Sequence, residues 1–150
     1  MRLAVVSGIT TFGVDFALQR MMIKSRPYDI KRAFRTTSYA FFSAFPQNAY
    51  FNNLGKVCNT PLQKTMMNQF FFAPINITFG IAWNLALQNK FRDIIPSVRS
   101  NLLPGLVEGS LYWCPINILA FSLIKPPDQF LFFKAVSVPY KILFVNRTVS

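Results

Sequence analysis

One stretch of 25 residues, from Thr65 to Asn89, contains no charged side chain. It reads TMMNQFFFAPINITFGIAWNLALQN and exceeds the roughly 20 apolar residues that a helix needs to cross the hydrocarbon of a bilayer. A soluble protein of 150 residues would rarely bury a helix that is apolar on every face. The stretch therefore predicts a membrane-spanning helix.

A second uncharged run, GSLYWCPINILAFSLI, extends from Gly109 to Ile124. Residues Leu102 to Val107 lengthen it, with only Glu108 interrupting. Three further apolar segments contain more polar residues and are weaker: Leu3–Ile23, Ser38–Val57 and Gln129–Val145. Together the five segments predict an all-α fold, a multi-pass membrane helix bundle of four to five kinked helices. We expect one integral-membrane helical domain over residues 1–150.

The charge balance is strongly basic, with 16 Lys and Arg against 5 Asp and Glu. A nucleic-acid binder and a membrane protein with basic loops both fit that balance. A nucleic-acid binder would carry its basic residues on the same elements as its exposed aromatic residues. Here Phe70, Phe71, Phe72, Phe79 and Trp83 all lie in the uncharged stretch. We therefore expect a membrane protein that does not bind nucleic acid.

Composition also argues against catalysis and metal binding. The chain has no histidine, so it has neither a histidine-dependent catalytic triad nor a histidine-ligated zinc site. Its two cysteines, Cys58 and Cys114, are too far apart in sequence for a CxxC site. It also lacks a glycine-rich phosphate loop and paired carboxylates. We expect no enzyme activity, no cofactor and no metal.

Polar residues inside apolar segments are the candidate functional residues, because such residues normally face the bundle interior or a water path. They are Asp15, Gln19, Asn68, Gln69, Asn84, Glu108 and Asn117. Asp15 and Gln19 are four residues apart and share one helical face. The set could line a narrow aqueous path or solute site. The alternative, which we favour, is hydrogen bonding between helices.

Basic residues crowd the first connection and its surroundings: Lys24, Arg26, Lys31, Arg32 and Arg35. They could bind phosphate or anionic lipid headgroups, or they could simply set the topology of the chain. Four prolines fall inside apolar segments and predict helix kinks: Pro46, Pro74, Pro115 and Pro139. We favour a role in packing over a role in gating for these kinks.

Read in order, several groups of residues resemble motifs of the Mpv-seventeen/peroxisomal membrane protein family. The groups are Asp15 with Gln19; Tyr28, Asp29, Arg32 and Arg35; Pro46, Tyr50, Phe51 and Leu54; Lys64, Asn68, Gln69, Ala73 and Pro74; and Trp113, Pro115, Asn117 and Phe121. The resemblance covers nearly the whole chain. The chain is short for the family, and Asn68, Asn117 and Ala120 stand where the family has Asp, Gln and Asn.

The resemblance implies a small integral protein of the mitochondrial inner membrane or, alternatively, of the peroxisomal membrane. Since polar family positions are neutralised here, we expect an accessory structural subunit of a large membrane complex, such as the respiratory chain or ATP synthase. The alternative is a non-selective channel or transporter for small solutes. The expected partners are membrane lipids, with cardiolipin the candidate in a mitochondrion, and other membrane-protein subunits.

Overall fold

A computed structural model describes residues 1–22 and 28–145. Six α-helices occur in this part of the chain: α1 (Arg2–Met22), α2 (Ile30–Val57), α3 (Pro61–Met67), α4 (Ala73–Ala86), α5 (Ile94–Leu123) and α6 (Pro126–Val145). A π-helical turn, Asn68–Phe72, joins α3 to α4 without a break, and a 3-10 turn, Phe91–Asp93, precedes α5. The described residues thus form five helical stretches and no strand, which confirms the all-α prediction.

The chain divides into two compact units. The first unit combines Met1–Ala49 with the chain from Phe130 onward, and the second is Tyr50–Gln129. The expectation of a single domain over residues 1–150 stays a prediction.

In the first unit, α1 packs on α2 through small residues. The buried positions of α1 recur at helical spacing and include Ala4, Ser7, Thr11, Asp15 and Leu18. On α2 the buried positions of this unit are Ala33, Ala40 and Ala44. The Ser7 hydroxyl donates to the Ala40 carbonyl at 3.0 Å. Small side chains let two helix backbones approach closely, which is a packing mode common between membrane helices.

In the second unit, local sequence signals set the start of α3 and the end of α4. The Thr60 hydroxyl oxygen accepts a hydrogen bond from the backbone N–H of Gln63, and the Gln63 side-chain oxygen accepts one from the backbone N–H of Thr60. The two residues thus form a capping box. Pro61 follows at the first helical position, where a missing N–H costs nothing. After α4, Asn89 adopts a left-handed φ of 58°. The Lys90 N–H then donates to the Leu85 carbonyl at 3.0 Å and closes the helix end.

The π-helical turn lies directly before α4, which has Pro74 in its first turn. Pro74 has no N–H to offer the Phe70 carbonyl, and its ring would clash with that carbonyl in a regular α-helix. The chain widens by one residue instead, and the Ala73 N–H donates to the Asn68 carbonyl, five residues back. Within this turn Asn68 and Gln69 are buried, while Phe70 is 79% exposed.

The other three predicted kink prolines lie inside continuous helices: Pro46 in α2, Pro115 in α5 and Pro139 in α6. A further proline, Pro104, also lies inside α5 and was not among the predicted kink positions. Each interrupts the backbone hydrogen bonds of its helix at one position, yet the helix continues beyond it.

One helix among the described residues is both long and apolar enough to cross a membrane, from Phe91 to Leu123 with a mean hydropathy of 1.3. Only 22% of its apolar window is buried within the protein, whereas the core helix of a soluble protein would be mostly buried. The uncharged stretch from Thr65 to Asn89 forms the end of α3, the π turn and α4. That all five stretches cross the bilayer stays a prediction.

Large apolar side chains are exposed along every α-helix. Examples are Ile9, Phe34, Phe42, Leu62, Phe79, Leu103, Leu111, Leu123 and Leu131. Water-soluble monomers rarely expose contiguous apolar patches of large area. Surfaces of this kind face lipid or another protein.

Candidate functional site

The first unit contains a buried polar cluster around Asp15 and Gln19 of α1. The Gln19 Nε2 atom donates to Asp15 Oδ2 at 2.6 Å, as their spacing of four residues allows. The same amide pairs with the backbone of Asp29. It donates to the Asp29 carbonyl at 3.2 Å, and its Oε1 accepts from the Asp29 N–H at 2.7 Å. Gln19 therefore ties α1 to the residue that precedes α2.

Arg32 neutralises Asp15. Its Nε lies 3.4 Å from Asp15 Oδ1, with the two side chains 26% and 8% exposed, respectively. Arg32 is held in place because Asp29 caps α2: the Arg32 N–H donates to Asp29 Oδ1 at 2.9 Å. The carboxylate of Asp15 thus has a cationic partner and an amide donor inside the same unit.

Tyr28 borders this cluster. Its ring meets Phe16 edge-on, with the ring centroids 5.5 Å apart. Burial, followed by the negative charges of Asp15 and Asp29, raises the pKa of the Tyr28 phenol above its ordinary value of 10.0. The phenol is therefore a neutral donor, and its buried oxygen has no hydrogen-bond partner among the described residues.

The predicted headgroup site is only partly visible. Lys24 and Arg26 lie outside the described residues. Lys31 is exposed on the first turn of α2. Arg32 is paired with Asp15, and Arg35 has interactions of its own, so neither is free to serve a lipid alone.

The second unit contains a buried amide cluster between the π turn and α5. Asn68 Nδ2 donates to Asn117 Oδ1 at 3.1 Å, and the Asn117 side chain is fully buried. One residue along the π turn, Gln69 Nε2 donates to Ser110 Oγ at 2.8 Å, and Ser110 in turn donates to the Leu106 carbonyl. Two pairs of side chains, Asn68 with Asn117 and Gln69 with Ser110, therefore form hydrogen bonds between the π turn and α5.

An aromatic cluster lies beside the amides. Phe72 stacks on Tyr50 with the ring centroids 4.4 Å apart and an angle of 15° between the rings. Phe51 contacts both Phe72 and Phe121, which lie four residues beyond Asn68 and Asn117 respectively. The aromatic cluster therefore joins α2 to the π turn and to α5, the two elements that carry the amides.

Three buried polar atoms of this unit lack hydrogen-bond partners among the described residues: Asn68 Oδ1, Asn117 Nδ2 and the Tyr50 hydroxyl oxygen. A buried unpaired donor or acceptor costs about 1–3 kcal/mol. Such atoms are the usual partners of buried water or of a small polar ligand. They make the amide cluster the best candidate in this unit for holding one.

Two predicted candidates do not join the buried clusters. Asn84 is exposed near the end of α4, where its side chain accepts from Gln88 at 3.3 Å. Glu108 is exposed in the middle of α5. By contrast Gly109 and Asn117 of the same helix are buried.

Several polar residues with hydrogen bonds inside the two units were not predicted. Ser110 and Ser7 are short hydroxyl side chains in apolar helices, and nothing in their spacing indicated a partner. Gln129 is 2% exposed, and its amide donates to the carbonyl of Ile124 at 2.9 Å, beyond the end of α5. Its position two residues after a proline pair could have indicated a capping role.

The described residues contain no group of three or more His, Cys, Asp or Glu side chains that could hold a metal ion. Cys58 is buried, Cys114 is half-buried, and both are free thiols. Chemically, the two clusters offer a neutralised carboxylate and a set of uncharged amides. Such groups can hold helices together or accept a small polar molecule.

Comparison with known proteins gives one weak similarity. No protein-family profile and no solved structure matches the chain. The chain is similar to Protein SYM1 of Yarrowia lipolytica, with 25% identity over 126 residues. The similarity covers 83% of this chain, which spans only 62% of the length of that relative.

Proposed function

We propose that the chain is a small integral protein of the mitochondrial inner membrane, without catalysis of its own, that serves as an accessory structural subunit of a large membrane complex. In this proposal the chain and Protein SYM1 are members of the Mpv-seventeen/peroxisomal membrane protein family. The proposal is supported by a similarity that runs over 83% of the chain and by the family-like residues described above.

One observation carries the structural role: buried polar side chains of the helices are bonded to each other, while large apolar side chains are exposed on the outward faces. Asp15 is paired with Arg32, and Asn68 is paired with Asn117. Phe70 and Leu111 instead point outward, at 79% and 80% exposure. Membrane helices that support an assembly need this arrangement, because lipid or neighbouring subunits cover their surfaces.

The test is the state of the protein in its own membrane. Mitochondria are solubilised in digitonin, and the complexes are separated on a native gel and probed for the chain. We expect migration with a large complex, and purification through a tag on the chain should yield the same set of subunits each time. Migration at the mass of the free protein would contradict the subunit role, and recovery in peroxisomes would contradict the location.

A solute path is the second candidate, and the unpaired atoms of Asn68, Asn117 and Tyr50 favour it. The double variant N68L/N117L separates the two functions. Replacing both partners of a hydrogen bond with apolar groups of similar shape is close to neutral for stability. A structural role thus predicts normal assembly for the double variant, whereas a path predicts solute flux in wild-type proteoliposomes that the double variant loses.

A further inference from the structure

Glu108 is a charged residue within the longest apolar helix of the described chain. It lies within the helix Phe91–Leu123, which is long and apolar enough to cross a membrane. It is nine residues after Arg99 and 17 before Lys125, and no other charged residue lies between those two. At 1.5 Å per residue, Glu108 is about 14 Å from the level of Arg99 and about 22 Å from that of Leu123, the last helical residue before Lys125. If those two cations mark the interfaces, the carboxylate lies within the hydrocarbon.

The chain does not shield this carboxylate. Glu108 is exposed, and its side chain forms no hydrogen bond or ion pair with a described residue. The contrast with Asp15 is direct, because Asp15 is buried with Arg32 and Gln19 beside it. A carboxylate exposed to hydrocarbon is costly, and acidic residues at this depth normally pair with a cation.

The residues around Glu108 form a continuous exposed stripe on α5. Pro104, Leu111 and Pro115 are exposed one turn and two turns away on the same face. The buried residues Gly109, Asn117 and Ala120 lie on other faces of the helix. The stripe is therefore an apolar helix face with one negative charge near its centre.

We propose that this stripe is the contact surface for a membrane-spanning helix of a different protein, which places a lysine or arginine against Glu108. The partner's charge follows from complementarity, since a basic side chain removes the cost of the exposed carboxylate. A second copy of the chain is a poor partner. A two-fold symmetric contact centred on this stripe would bring two Glu108 carboxylates together. The proposal rests on the subunit role proposed above and adds which face binds and what chemistry it binds.

The test uses the full chain in mitochondria, with a photo-crosslinking amino acid at Leu111 and, separately, at Phe79 on α4 as a second exposed apolar position. We expect the Leu111 probe to capture a membrane segment of another protein that contains Lys or Arg. E108Q should lower the yield of this adduct at least about tenfold, since losing one member of a desolvated charge pair strongly weakens association. E108D keeps the charge and should restore most of the yield.

Controls separate a lost contact from lost folding. D128N removes an exposed acid at the start of α6 and should leave the adduct unchanged. Resistance of each variant to carbonate extraction shows that it is still inserted. In E108K the adduct should vanish and return when the captured basic residue is changed to Glu.

Three results would overturn the proposal: an adduct yield in E108Q equal to wild type, a captured segment without a basic residue, or capture of lipid alone at Leu111. If the chain still purifies with a large complex in any of these cases, the subunit role stands and only the assignment of this surface fails. If the wild-type chain migrates alone and neither probe captures protein, the subunit role fails as well.

Discussion

Asp15 shows how the surroundings of a single residue decide its role. By sequence it was a candidate for a water path, since an acid in an apolar helix must face something polar. In the fold it faces Arg32 at 3.4 Å and the Gln19 amide at 2.6 Å. A half-buried ion pair with an additional hydrogen bond meets the cost of burying the charge and joins two helices.

This arrangement predicts the effect of removing the acid. We expect D15A to lower the free energy of unfolding by about 1–3 kcal/mol, because Arg32 then loses its anionic partner and the buried Gln19 amide loses one of its two acceptors. R32M should act in the same direction. In a double-mutant cycle the two changes should be coupled by about 1 kcal/mol, measured by thermal unfolding in mild detergent. K31M, which changes the exposed neighbour, is the matched control and should have almost no effect.

Part of each cluster could be predicted from the sequence. The contact between Asp15 and Gln19 follows from their spacing of four residues. The contact between Asp15 and Arg32 does not, because it depends on how α1 and α2 are rotated against each other after the turn. The same holds for Asn68 and Asn117. Both were chosen as polar residues in apolar runs, but nothing in a separation of 49 residues indicates that they pair.

At the scale of the element, apolar runs located the helices but not their ends. The first predicted segment, Leu3–Ile23, corresponds closely to α1, whereas the segment beginning at Ser38 belongs to a helix that starts at Ile30. The turns before Ser38 contain Lys31, Arg32 and Arg35, whose charge in the sequence indicates a connection between apolar segments. Hydropathy indicates where lipid can lie, whereas backbone hydrogen bonds and the Asp29 cap set where the helix begins.

The π turn gives a prediction with an unusual sign. Replacing a helix proline with alanine normally stabilises a helix. We expect P74A to destabilise the protein by about 1 kcal/mol, because the restored N–H favours an α-helical turn that rotates Asn68 and Gln69 away from their partners. P104A is the control, since Pro104 is exposed in a regular helix, and its replacement should stabilise the protein by about 1–3 kcal/mol. Thermal unfolding of both variants in one detergent tests the opposite signs.

We expect two glycines of α1, Gly8 and Gly13, to differ in how well they tolerate substitution by larger residues. A Cβ atom at Gly13 would meet nothing within 4 Å, so G13A should stabilise the helix by about 0.5–1 kcal/mol. At Gly8 a Cβ would already touch Phe41 and Thr37 at 3.8 Å. We expect G8L to be destabilising by about 1–3 kcal/mol, because the added atoms must displace α2. Unfolding in SDS titrations measures both, and equal effects would contradict the packing of α1 on α2.

At the scale of the whole molecule, the described residues carry polar groups inside and large apolar side chains outside. The sequence predicts this character, because an uncharged run long enough to cross a bilayer is typical of a membrane-spanning helix. It could not predict which side of each helix faces out. The outward side of each helix depends on its contacts with neighbouring helices, such as the hydrogen bonds from Asn68 and Gln69 to α5.

A lipid environment makes the cost of a charge depend on depth. Leu111 and Leu123 are equally exposed, at 80% and 79%, but Leu111 lies well inside α5 and Leu123 lies at its end beside Lys125. We expect L111K to reduce membrane insertion by about 2–3 kcal/mol and L123K by less than about 0.5 kcal/mol. Insertion of each variant into microsomes, scored by engineered glycosylation acceptors, gives the comparison. Equal tolerance would indicate that this face meets water.

The π turn also has a consequence for how homologous chains align. It holds one residue more than an α-helical turn, so a homologue that lacks a single position between residues 68 and 72 would keep both flanking helices in phase. The same deletion within α4 would turn every later side chain of that helix by about 100°. One-residue gaps among homologues should therefore occur at this turn more often than within the flanking helices. Homologues that have such a gap should also lack a proline at the position of Pro74.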